Sequence, residues 1–397
     1  MSRLREDFLR YVCQTSDSPM GLVVARAEGS RVWDESGNCY LDLLSGIGVA
    51  NVGHTNPEVV AAVERQAKRY LHVMVYGEMV LEPQVELARR LARRAPGELS
   101  VTYFANSGTE AIEGALKTAR KYTGRKTFVA FEGSFHGDTL GSLSVGGNPL
   151  YRKPFEPLLP EVRFLPFDDT EALESIDEDV AAVVLELVQA EAGVRIPRPE
   201  FVSRLSRRCR ETGALLVVDE VVTGFGRTGR LFACEHWGVE PDLLVLAKAL
   251  GGGLPLGAFV GRPEPMRTLS HDPPLAHVTT FGGHPLSCAA ALAAWDFLDR
   301  ENLLARSEEL GRRFFSALRP LEGEKLREVR GLGCLLGLEF ADERLVRRFV
   351  ETCRELGVLV GWTLHRDTVV RLAPPLVLTD DEFEEAVDKL AEALRRS

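Results

Sequence analysis

Three short stretches carry residue types that could act together on one small molecule, and each follows an apolar run. Leu243–Ala247 ends at Lys248, which precedes Ala249-Leu250-Gly251-Gly252-Gly253. A lysine held at the end of a buried strand loses hydration, its pKa falls from about 10.4, and the neutral amine becomes a Schiff-base nucleophile. A fall of about three units means about 4 kcal/mol of differential destabilisation of the charged form. A solvated strand end is the plainer reading. Leu215–Val218 runs into Asp219-Glu220-Val221-Val222-Thr223-Gly224. Carboxylates there are costly to desolvate unless a metal, a protonated ring nitrogen or an arginine meets them. No histidine lies nearby in sequence, so a metal is the weaker choice; a solvated loop is the alternative. Thr102–Ala105 leads into Asn106-Ser107-Gly108-Thr109-Glu110-Ala111. Ser107 and Glu110 have the spacing of a capping box, and Gly108 lets backbone amides approach an anion at the positive end of the helix. An ordinary capped helix start has the same signature.

These residues need a scaffold that brings strand ends together. Strands are expected at Thr102–Ala105, Thr127–Phe131, Ala182–Leu187, Leu215–Val218 and Leu243–Ala247, with helices such as Thr109–Lys121 and Glu200–Thr212 between them. Near-continuous Val/Leu/Ile runs suit a sheet buried on both faces, and the alternation argues for a mostly parallel α/β sheet. Ligands of such sheets bind outside the carboxyl ends of the strands, where the polar and Gly-rich residues fall. Before this region lie short strand-like pieces (Leu22–Ala25, Arg31–Asp34, Cys39–Leu43) and a helix at Pro57–Leu71. After it come helices at Ser287–Asp299, Leu303–Leu318, Glu343–Leu356 and Asp380–Arg396, with strands at Cys334–Phe340 and Val358–Thr363. The expected organisation is an N-terminal segment, 1–50, packing with a smaller α+β domain, 286–397, around a large α/β domain, 51–285.

Composition narrows the function. At about 150 residues per domain, 397 residues make two or three domains. The net charge of −10, from 48 basic and 58 acidic residues, disfavours nucleic acid or an anionic membrane as partner. Seven scattered cysteines with no CxxC pair disfavour a disulfide scaffold or a zinc ribbon. Met1–Asp7 lacks the apolar core of a signal peptide, and no apolar run approaches the roughly 20 residues of a membrane helix. A reduced, cytoplasmic protein without a resident metal is expected. The glycines at 46–53 miss the dinucleotide fingerprint, and no Gly-rich loop ends in Lys-Ser/Thr as a P-loop does.

A phosphate cradle, a strand-end Asp and a strand-end Lys together match pyridoxal 5′-phosphate, which needs a phosphate clamp, an anion at its pyridinium nitrogen and a lysine imine. Phe135-His136-Gly137 offers an aromatic face, although Phe135 taken singly also suits plain core packing. With these motifs in place, the sequence resembles a class III aminotransferase, the fold-type I pyridoxal-phosphate enzymes that act largely on ω-amino groups. The resemblance rests on Asn106–Ala111, Phe135–Gly137, Glu186–Gly193, Asp219–Gly229, Lys248–Gly253, Thr279–Gly283 and Arg371–Leu376, in family order over about residues 20–380. It implies a central sheet of the seven-stranded type, transfer to 2-oxoglutarate by a ping-pong mechanism, and a homodimer or dimer of dimers with shared active sites.

The resemblance also implies roles. Lys248 would hold the cofactor and shuttle a proton, and Asp219 would pair with the pyridinium nitrogen. Val221 and Phe135 would cover the ring faces. Ser107, Gly108 and Thr109 would contact the phosphate, and Thr280 would reach the neighbouring subunit's cofactor. Arg371 would clamp an α-carboxylate, with Glu191 masking it when an ω-amine enters. Tyr76 and Thr279 fall where substrate contacts occur, although Tyr76 equally suits a rim position. Three departures stand out: Val222 replaces the Gln that bonds the phenolic oxygen, Glu186-Leu187 and Ala190 replace Glu-Pro and Gly, and Asp138 replaces an Arg found in many members. An acid at 138 repels a carboxylate and favours a distal cation, unless it simply faces solvent. It tilts the likeness toward putrescine-type diamine aminotransferases, with acetylornithine and ornithine aminotransferases close behind. An aminomutase or decarboxylase on the same scaffold, or a non-catalytic binding protein retaining the fold, are the other readings.

Overall fold

The computed structural model describes residues 3–397; Met1 and Ser2, the start of the expected 1–50 segment, lie outside the described residues. Its centre is a seven-stranded sheet. The strand order is Val101–Ala105, Gly257–Gly261, Leu243–Leu246, Leu215–Asp219, Val180–Glu186, Thr127–Phe131, Val162–Leu165. The five strands from Leu243–Leu246 to Val162–Leu165 pair in parallel. Only Gly257–Gly261 runs antiparallel to its neighbours. Every residue of Thr127–Phe131, Val180–Glu186 and Leu215–Asp219 is buried, as a sheet with helices on both faces requires. Two of these strands, Val162–Leu165 and Gly257–Gly261, carry too weak a pattern to stand out in the sequence. The first is short, with three half-buried residues before a buried Leu165, and the second is bounded by glycines.

Helix Gly108–Thr123 packs an apolar stripe, including Ile112, Ala115, Leu116 and Ala119, on this sheet and stops at Gly124 in the left-handed conformation. Its N-terminus differs in detail from a full capping box. Ser107 Oγ accepts from the Glu110 amide at 3.3 Å. The Glu110 carboxylate turns instead to Asn106, taking its backbone and side-chain N–H groups at 2.8 Å each. Two donors converge on one charged oxygen there, where Ser107 would offer one.

Two four-stranded sheets flank the large one. In one, Val24–Glu28, Arg31–Asp34 and Cys39–Asp42 are joined by Val358–Leu359, tying the chain's beginning to its C-terminal third. The other is Leu326–Leu332, Leu335–Phe340, Val369–Leu372 and Gly361–Trp362, all antiparallel. The single strand expected at Val358–Thr363 is thus split between two sheets. The four helices expected after residue 286 form at Pro285–Arg300, Leu303–Leu318, Glu343–Glu355 and Asp380–Arg396. Arg227, fully buried, ties the parts together. Its guanidinium donates to the Cys334 carbonyl at 3.0 Å, the Pro374 carbonyl at 2.6 Å and the Asn51 side chain.

Candidate active site

Strands Leu215–Asp219, Val180–Glu186 and Leu243–Leu246 end side by side, and the residues at their carboxyl ends face a cavity of about 670 Å³. Ser107, Gly108, Thr109, Phe135, Asp138, Glu191, Asp219, Val221, Val222 and Lys248 all line it. That volume suits a small-molecule ligand, for which pockets of about 300–1,000 Å³ are usual.

Asp219 is held in a fixed pose. One carboxylate oxygen lies 2.8 Å from His136 Nδ1, and the other accepts the Val221 N–H at 3.0 Å. Burial alone would lower the His136 pKa, but the hydrogen bond and charge of Asp219 outweigh it, and the imidazole is shifted upward. His136 Nε2 is buried without a partner among the described residues. Across the sheet, Glu186 stands in register with Asp219. Its oxygens accept the Phe135 amide at 2.8 Å and the Ala190 amide at 3.3 Å. Desolvation, with Asp219's charge adding to it, pushes the Glu186 carboxyl up to about 7.

Lys248 leaves the strand abruptly. Its φ of +50° lies in the left-handed region that favours glycine, at a cost of about 1 kcal/mol or more. A short 3₁₀ turn, Lys248–Gly251, follows, and the strained residue directs its amine into the cavity. Burial lowers the Lys248 pKa, and the charge of Arg371 lowers it further. Both effects favour the neutral, nucleophilic form of the amine.

Gly108 meets Val221 so closely that an added Cβ would sit 2.9 Å from a valine methyl. The anion-binding helix end and the Val221 wall are therefore in direct contact. The Thr109 hydroxyl is committed to the protein, 2.7 Å from Thr139 Oγ1 and 2.6 Å from Ser142 Oγ. Its backbone amide is what remains for an anion. Gly137 permits this arrangement, since a Cβ there would fall 2.4 Å from Thr109.

Glu191 forms a buried ion pair with Arg371, and both are 5% exposed. Burial pushes the Glu191 carboxyl up, but Arg371 beside it wins, and the net shift is downward. Glu191 lines the cavity in front of the arginine. Val222 offers no donor and packs with Val188, Ala190, Val194, Leu335 and Ala373. The remaining expected residues stand apart from this cavity. Thr279 caps the Gly282 amide at 3.0 Å and touches Asn106, while Thr280 and Tyr76 are exposed. His136 and Glu186 belong to the site although their motifs alone assign them no role. Aligning the carboxyl ends of neighbouring strands finds Glu186; the loop position of His136 carries no comparable signal.

The residues fit pyridoxal phosphate. An amide-lined helix start suits its phosphate, a buried carboxylate its protonated nitrogen, and a desolvated amine its carbonyl carbon. The missing side chain at Gly108 lets Val221 close directly on that helix start.

Residues 12–394 match the family described as Aminotransferase class-III. The chain is 47% identical over 373 residues to the acetylornithine aminotransferase of Methanopyrus kandleri, covering 93% of each. Among solved structures, it is similar to the ornithine aminotransferase from Toxoplasma gondii, with a TM-score of 0.91 and 34% identity over 99% of this chain and 94% of that one. A thermostable (S)-enantioselective omega-transaminase from Thermomicrobium roseum gives a TM-score of 0.91 and 30% identity over 98% and 97% of the two chains.

Proposed function

The chain belongs to the class-III aminotransferases, and from that premise we propose that it moves the terminal amino group of an ornithine- or acetylornithine-type donor to 2-oxoglutarate in a ping-pong cycle. The family depends on pyridoxal phosphate, and the fold is that of the fold-type I transferases, as the motifs imply. The observation that carries the proposal is that Lys248, Asp219 and the Ser107–Thr109 helix start come from three strand ends and line one cavity.

When bound, pyridoxal phosphate supplies a carbonyl carbon that takes up the amino group and a ring that withdraws electrons from the neighbouring carbon. Backbone amides at Gly108 and Thr109 would hold its phosphate, and Val221 and Phe135 would cover its ring. Asp219, oriented by His136, would hold the ring nitrogen in its protonated form. Burial favours the neutral form of Lys248, whose amine would take the proton from the donor's amine-bearing carbon and hold it for return in the same half-reaction. Arg371 pairs a substrate carboxylate once Glu191 moves aside; with Glu191 in place the pair is neutral and an ω-amine passes.

The loaded protein is expected to be trapped by borohydride and to transfer amino groups to 2-oxoglutarate. Lys248→Ala is expected to abolish both, and turnover surviving in that variant refutes the role. A diamine donor is the second reading, favoured by the exposed Asp138 at the cavity wall. A panel of putrescine, ornithine, acetylornithine and 4-aminobutyrate separates the two, and strong activity with 4-aminobutyrate counts against a role for Asp138. The proposal includes a homodimer or dimer of dimers in which Thr280 serves the partner subunit's phosphate site, and a cytoplasmic location. No described helix is long and apolar enough to cross a membrane. It keeps the division into 1–50, 51–285 and 286–397, supported by the three separate sheets.

A further inference from the structure

Glu191 must leave Arg371 before any substrate carboxylate can use that arginine, so whatever holds Glu191 in place sets which substrates the site accepts. One carboxylate oxygen of Glu191 is on Arg371; the other accepts the backbone N–H of Leu364 at 2.9 Å. The Glu191 carbonyl accepts the next amide, that of His365, at 3.0 Å. Glu191 is therefore pinned at both ends by two successive amides of one turn. The turn is in turn moored to the large sheet's loops. His365 Nδ1 donates to the Gly133 carbonyl at 2.8 Å, which fixes the proton on that nitrogen. The imidazole lies between Phe135 and Tyr151, with ring centroids 5.8 and 5.1 Å away. The Tyr151 hydroxyl donates to the Leu364 carbonyl at 2.8 Å. Leu364 and Tyr151 are themselves 46% and 39% exposed, so the turn is a surface element gripping a buried carboxylate.

We propose that the Leu364–His365 turn, clamped by Tyr151 and Gly133, is a latch that holds Glu191 over Arg371 and so sets the balance between substrates that bring a carboxylate to Arg371 and those that enter with only an ω-amine there. The inference rests on the aminotransferase reading above, with Arg371 as the carboxylate clamp. His365 and Tyr151 are positioning residues. They touch the turn, and through it the carboxylate. Loosening the latch raises the fraction of molecules in which Arg371 is bare. A bare guanidinium attracts an incoming carboxylate and repels a cationic ω-amine.

The test compares His365→Phe, which keeps a ring between Phe135 and Tyr151 but loses the donor, with Tyr151→Phe, which loses only the hydroxyl. The probe is glutarate, an unreactive dicarboxylate, titrated calorimetrically into the pyridoxal-phosphate-loaded protein. Each variant is expected to bind glutarate about fivefold more tightly, the equivalent of about 1 kcal/mol for one weakened hydrogen bond. The KM of the keto acid should fall in parallel and that of the amine donor should rise, with kcat little changed. His365→Asn, which restores a donor near the Nδ1 position, should return glutarate affinity toward the parent value. Glutarate affinity within about twofold of the parent in both phenylalanine variants overturns the latch, as such a change is below one hydrogen bond's worth. Uniform weakening of glutarate, amine and cofactor binding also overturns it, leaving a plain structural support. Failure of the parent protein to transfer any amino group would refute the aminotransferase reading, whereas the glutarate titration judges the latch without turnover.

Discussion

Replacing Asp219 with Asn keeps the side chain's shape and removes its charge, and the structure fixes what must follow. Asp219 is 6% exposed, oriented by His136 at 2.8 Å, and in register with Glu186, so the lost charge is felt in three places. The ring nitrogen of bound pyridoxal phosphate loses its ion pair. Two unit charges about 3 Å apart attract by about 5 kcal/mol at an effective dielectric of about 20, before desolvation is subtracted. Net values for hydrogen bonds to charged groups are about 1.5–3 kcal/mol, so the cofactor's Kd should rise by about ten- to a hundredfold. The measurement belongs in a Lys248→Ala background, where covalent attachment cannot mask the change, with quenching of tryptophan fluorescence as the signal. His136 loses the partner that raises its pKa, and Glu186 loses a neighbouring negative charge, so both should titrate at lower pH in the cofactor-free protein. Cofactor affinity within about twofold of the parent, much less than one charged hydrogen bond is worth, would show that Asp219 does not face the ring nitrogen.

Two more predictions concern packing and pH. Gly108→Ala puts a methyl 2.9 and 3.0 Å from the two Val221 methyls, an overpacking worth about 1–3 kcal/mol. The melting temperature should drop by several degrees and the cofactor bind more weakly; Val221→Ala in the same chain should restore stability, and no rescue would mean the strain lies elsewhere. For Glu186, a carboxyl raised from 4.5 to about 7 keeps in the folded state a proton that the unfolded chain has released. The folded cofactor-free protein is therefore stabilised at low pH and loses up to about 3 kcal/mol as pH rises across that window. Glu186→Gln should flatten that slope in denaturant titrations run from pH 5 to 7.5, about the interval in which a shifted carboxyl acts; an unchanged slope would place the titration on another group.

What the sequence made legible follows from the range of the forces involved. Lys248 and Asp219 stand out because each ends an unbroken apolar run, and a charge in that position is costly wherever the chain goes. Helix Glu82–Arg94 carries little local signal because its buried residues are few (Pro83, Leu87 and Leu91) among many charges. The break between Leu359 and Gly361 is likewise invisible locally, because the two halves are apolar alike and differ only in which sheet they join. The mooring of His365 to Gly133 spans 232 residues and ends on a carbonyl, which no side-chain pattern announces. Thr279, Thr280 and Tyr76 rest on likeness alone, and none lies on the cavity wall of the single chain.

The same long-range pairing joins substrate choice to proton transfer. From Lys248, Arg371 is a positive charge that lowers the amine's proton affinity, and Glu191 a negative one that raises it. While the pair is closed, the two oppose each other. Were Glu191 to leave with nothing replacing it, Lys248 would face an uncompensated guanidinium and hold its proton less tightly. A substrate carboxylate arriving on Arg371 supplies the missing charge at nearly the same place. In the proposed cycle, an ω-amine reacting with the pair closed and a keto acid reacting with it open would each meet a Lys248 with a carboxylate beside Arg371. In that cycle one lysine would serve both halves at one pH, because the carboxylate that departs and the carboxylate that arrives would be electrostatic substitutes.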